Sequence, residues 1–146
     1  MTESTYIKNL VMKLKDKFNL SDYETEFLER LNTELRRPVP TTQLGIEDRL
    51  YLLDVLKIDL HNMLYVLEER FSSMEYEYKE KYNIEHTRLV RAGRPSEAAI
   101  DSEIHTNTSL KSTRDLLNDW QSFKGLLTSY LSVIKACKDT CLKKFV

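Results

Sequence analysis

The chain has 146 residues, of which 31% are charged and 41% hydrophobic, with only three glycines and three prolines. So few turn-forming residues exclude folds made of many short strands and favour a small number of long helices. The formal net charge of −1 conceals a gradient: ten acids oppose five bases over residues 46–87 (net −5), and ten bases oppose six acids over 88–146 (net +4). A basic arm of that size is modest for a dedicated nucleic-acid binder.

From the N-terminus, Ile7, Leu10, Val11, Leu14 and Phe18 recur at helical spacing and predict a helix over Thr5–Phe18. Met1-TESTYIKNL has no apolar run after a basic start, so no secretory leader is expected. No apolar run is long enough for a membrane span either. Asn19 and Leu20 end the helix, and Ser21-Asp22-Tyr23-Glu24 has the capping-box form that opens a second one. That helix is expected to bury Tyr23, Phe27, Leu31 and Leu35 and to stop near Arg37, because Pro38 disfavours helical geometry in the residue before it. Pro38-Val39-Pro40-Thr41-Thr42 reads as a loop. The expected organisation is an N-terminal helical pair over 1–37, a Pro-rich hinge over 38–45 and a long hairpin over 46–146.

The third pattern runs Ile46, Leu50, Leu53, Lys57, Leu60, Leu64, Leu67, Phe71, Met74, Tyr78 in alternating steps of four and three, a coiled-coil spacing with one polar intruder. It continues through Tyr82 towards Leu89, a helix roughly 65–70 Å long at about 1.5 Å per residue. Gly93 then suits a left-handed C-terminal cap, Pro95 blocks continuation, and Ser96 followed by Glu97 suits a new N-terminus. A turn is therefore expected at 92–96. The last pattern repeats the first stripe's spacing at Leu116, Trp120, Phe123, Leu127, Tyr130, Ile134, Cys137 and Cys141, widened by Leu110, Leu117, Leu131, Leu142 and Phe145. Thr106-Asn107-Thr108-Ser109 offers a break, leaving open whether 96–145 is one helix or two. Two stripes joined by about three residues must fold back antiparallel, which makes the expected class all-α. The stripes are too wide for one hairpin partner, so Leu60, Leu64, Leu67, Phe71, Trp120, Phe123, Leu127 and Ile134 are expected to serve packing and homo-oligomeric assembly.

Catalytic chemistry has no foothold. His61, His86 and His105 are scattered, no Gly-rich phosphate loop or HExxH occurs, and neither a metal nor a cofactor is expected. Cys137 and Cys141 lie four apart on one helix, a poor disulfide geometry, which suits a reduced, cytoplasmic compartment. Two features stand out. Arg88, Arg91 and Arg94 cluster at the bend, either favouring the helix dipole at an exposed tip or holding an anion, phosphate first. Tyr76, Tyr78 and Tyr82 interleave with Lys79 and Lys81, a combination that stacks on bases and follows phosphates in single-strand binding. The alternative is that the tyrosines cover a helix flank.

The order of a long helix with an aromatic-basic patch, a short turn, PSEAAIDSEI, a polar break and the Trp-bearing helix STRDLLNDWQSFKGLLTSYLSVIKACKD resembles the recombination mediator proteins of T4-like bacteriophages, the UvsY family. The resemblance covers roughly residues 60–146. It implies a small helical homo-oligomer, in the host cytoplasm, that binds single-stranded DNA and works with a recombinase and a single-strand-binding protein. It also implies DNA contacts at Lys79, Lys81 and Tyr82, with Arg88, Arg91 and Arg94 beside them, and an assembly or packing role for Trp120. A helical adaptor or assembly protein with no nucleic-acid role is the other expectation.

Overall fold

The computed structural model describes residues 3–94 and 96–144; Pro95 and Phe145, used in the expectations above, lie outside them. Five helices follow one another: α1 (Glu3–Phe18), α2 (Asp22–Leu35), α3 (Gln43–Arg91), α4 (Glu97–His105) and α5 (Thr108–Lys143), with no strand among the described residues. The fold is all-α.

Each helix end has a local cause. Asn19 takes a left-handed conformation (φ 51°), and Leu20 N–H returns to the Lys15 carbonyl at 3.1 Å, closing α1. Ser21 and Glu24 form the reciprocal capping box expected of them. At the start of α3, Thr42 accepts from the Gly45 amide at 3.1 Å. A Cβ on Gly45 would lie 2.8 Å from the Thr42 hydroxyl and 2.9 Å from Pro40, so this cap needs a residue without one. Gly93 (φ 80°) ends α3: its amide reaches Val90 O, and the Arg94 amide reaches Leu89 O, the paired bonds of a Schellman turn. Ser96 caps α4 through the Ala99 amide. The second arm does break, at Thr106-Asn107, where Asn107 caps α5 by accepting from the Leu110 amide.

The chain forms two compact units, and the division falls within α3 and α5. The first comprises residues up to Tyr65 together with those from Lys124 onward, so the proline loop lies inside a unit and not at a boundary between units. Its core contains Val11, Leu28 and Leu31 from α1 and α2, Leu53, Leu56 and Leu60 from α3, and Leu127 and Ile134 from α5, all nearly inaccessible. Polar bonds fix the register. Tyr130 Oη donates to Asn32 Oδ1 at 2.8 Å, while Asn32 Nδ2 donates to Leu28 O. Lys138 pairs with Asp54, and buried Arg49 donates to Arg37 O at 3.2 Å and lies 3.9 Å from Glu34. The expected burial of Tyr23 is wrong. It is 70% exposed, because the helix turns its Glu24, Thr25, Phe27 and Leu28 side inward. The second helix also ends at Leu35, slightly before the Arg37 expected from Pro38.

The second unit spans Val66–Phe123. Here the end of α3 runs antiparallel to the start of α5. Phe71 stacks on Trp120 with centroids 4.6 Å apart, and further along α3, Tyr78 and Lys79 share a groove with Arg114 and Leu117, earlier on α5. Such a stack contributes about 0.5–1.5 kcal/mol beyond its burial. Below the turn, Leu89, Ile100, Ile104 and Leu110 form a separate cluster, with Tyr78 and Tyr82 packed on it. No helix among the described residues is long and apolar enough to cross a membrane.

Candidate nucleic-acid interface

All six cationic or aromatic candidates lie in the second unit, on the last turns of α3 and in the turn after it. Helical geometry divides them. Tyr78, Tyr82 and Leu89 turn inward onto the apolar cluster. Lys81, Ile84, Arg88 and Arg91 follow one another by three, four and three residues and are all exposed, a single outward stripe along one flank of the helix. Ile84 is an exposed isoleucine flanked by cations, and with Asn83, Thr87, Arg88 and Arg91 it lines an open groove of about 490 Å³.

Partners divide them again. Arg88 grips Glu85 with two guanidinium nitrogens at 2.5–3.1 Å, which holds the Glu85 carboxyl below the usual carboxylate range. Arg94 forms a fork with Glu103 at 2.7 and 2.9 Å, and Lys79 pairs with Glu75 at 3.2 Å. Lys81 and Arg91 are exposed, and among the described residues no carboxylate pairs with either. Tyr82 is held by its hydroxyl, which donates to Asp101 Oδ1 at 2.6 Å; that bond to a carboxylate pushes its pKa up to about 12. A phenol held in this way braces α4 against α3 and does not present its ring as a stacking platform. His86, 3.0 Å from Glu97, and the Arg94–Glu103 fork brace the same joint.

No family model matches the chain, and no curated protein or solved structure matches it.

Of the predicted site, the geometry thus brings Lys81, Arg88 and Arg91 to one outward face and sets Lys79, Tyr82 and Arg94 elsewhere. Trp120 is 3% exposed, between Phe71 and Phe123. Leu60, Leu67, Phe71, Phe123, Leu127 and Ile134 are buried within the chain, and Leu64 is half-buried. Sequence reasoning missed Ile84, whose signal was present: it sits three residues after Lys81 and four before Arg88. It also missed Asp101 and Glu103 as partners, which only the α3–α4 register places. Glu85, three residues before Arg88, was within reach of a spacing argument.

Proposed function

We propose that the protein is a phage-type recombination mediator or accessory factor, a homo-oligomer that binds single-stranded DNA and recombination proteins. The observation that supports this best is the outward stripe of α3. Two unpaired cations (Lys81 and Arg91) and a third held by Glu85 flank an exposed apolar side chain at helical spacing, a surface suited to phosphates with a base edge between them. The resemblance of residues 60–146 to the mediator family points the same way. Binding through the phosphates is electrostatic and weakens as salt rises.

A second function, a helical adaptor with no nucleic-acid role, is favoured by a specific observation. Lys79, Arg88 and Arg94 already have carboxylate partners, and the second unit carries eleven acids against eight bases, a net of −3. Fluorescence anisotropy of a labelled oligo-dT separates the two. A mediator binds at low salt and releases steeply as salt rises. No binding at low salt leaves the adaptor.

A further inference from the structure

In the first unit, α3 carries a second apolar stripe that the core does not use. Leu44, Tyr51, Ile58 and Tyr65 repeat every seven residues and are 69, 74, 60 and 68% exposed. They lie on the side of the helix opposite buried Leu53, Leu56 and Leu60. A single exposed apolar side chain is ordinary, but four in register along three heptads form a continuous ridge. The ridge is acidic at its N-terminal end, where Glu47 and Asp48 are exposed.

The same unit has a surface of the opposite character. A groove of about 530 Å³ has Leu131, Ile134 and Leu142 of α5 as its apolar floor, with three cations (Lys57, Lys135 and Lys138) against one acid (Asp139) in its lining. Lys138 is engaged by Asp54, and among the described residues no carboxylate pairs with Lys57 or Lys135. Lys57, the polar residue interrupting the core stripe, is thus an exposed groove residue. Ridge and groove lie on different sides of α3, so one copy can use both at once.

We propose that the Leu44–Tyr51–Ile58–Tyr65 ridge of one copy seats in the Lys57–Lys135 groove of a second copy of this chain. An apolar ridge meets an apolar floor, and Glu47 and Asp48 meet unpaired lysines. The ridge itself carries no lysine or arginine to meet Glu47 and Asp48, which is why the contact joins unlike surfaces. Such a contact is heterologous: a pair of copies still has one unfilled ridge and one unfilled groove, so assembly proceeds beyond a dimer. This deepens the assembly half of the function proposed above and does not rest on its DNA-binding half.

Light scattering after size exclusion tests it with the full chain and two surface variants, each checked for unchanged helicity by circular dichroism. The ridge variant is Tyr51→Glu with Ile58→Asp; the groove variant is Lys135→Glu with Leu142→Asp. The wild-type chain is expected to exceed the mass of a dimer, and each variant alone to fall to that of a single chain. An equimolar mixture of the two should recover a dimer and stop there, because only one intact ridge and one intact groove remain. A wild-type chain that stays monomeric at high micromolar concentration overturns the proposal. So does a groove variant that still associates alone, or a mixture that stays monomeric. Oligo-dT binding by monomeric variants reports on the DNA half separately.

Discussion

Replacing Tyr82 by phenylalanine separates bracing from DNA contact at one atom. The ring stays and packs on the Leu89–Ile100–Ile104–Leu110 cluster; only the hydroxyl that donates to Asp101 at 2.6 Å is lost. A hydrogen bond to a charged group contributes about 1.5–3 kcal/mol. Because water partly reaches both Tyr82 and Asp101, the lower end applies, about 1.5 kcal/mol. The pH dependence carries a signature. A phenol near 10 in the unfolded chain and about 12 in the folded one contributes stability that is fully present below pH 10. It is lost as pH rises from about 10 to about 12, because the folded form holds its proton longer. Urea titrations of wild type and Tyr82→Phe at pH 8 should differ by about 1.5 kcal/mol at equal m-value, and the gap should close by about pH 12. Oligo-dT affinity should not change. A variant as stable as wild type at pH 8, or one whose main loss is in DNA affinity, would refute a bracing role.

The remaining expectations concern packing and backbone. Phe71→Ala removes half of the Phe71–Trp120 stack from a site 2% exposed and should cost about 3–5 kcal/mol in urea unfolding, with the Trp120 emission shifting to the red. Gly93→Ala and Gly125→Ala add a Cβ that meets nothing within 4 Å, yet they should have opposite effects. At Gly93 the positive φ penalises any side chain, about 1–2 kcal/mol, whereas in the interior of α5 alanine should gain about 1 kcal/mol in helix propensity. Thermal unfolding of the two variants side by side checks both signs.

Much of the fold could be read from spacing. Alternating steps of four and three fix which side of a helix is buried, and Leu53, Leu60, Leu67, Phe71, Trp120, Phe123, Leu127 and Ile134 are all inside. Gly93 and Ser96 have few alternative uses, and the capping box at Ser21 is a local motif that needs no tertiary help. Spacing failed where a helix has more than one neighbour. Leu56 and Met63 are buried beside the stripe because α1 and α2 share the first unit with α3, while Tyr23 is exposed because its helix presents a different side. The candidate site was only half legible. Composition located the cations, and Glu75 and Glu85 lie within helical reach of Lys79 and Arg88, but the acids that hold Arg94 and Tyr82 (Glu103 and Asp101) are nine and nineteen residues away. The Leu44–Tyr65 ridge has a heptad period as clear as that of the core stripe. Only burial tells which of the two stripes faces solvent.

The central proposition, that the outward stripe of α3 holds single-stranded DNA through Lys81 and Arg91, is tested most directly by a salt slope. Anisotropy with oligo-dT measured across a salt series gives log K against log salt for the wild type and for Lys81→Ala with Arg91→Ala. Two lost phosphate contacts on a single strand should flatten the slope by about 1.4, at about 0.7 per contact. Helicity and assembly size should not change. A slope that stays the same in the double variant, or a wild-type chain with no affinity at low salt, would contradict it.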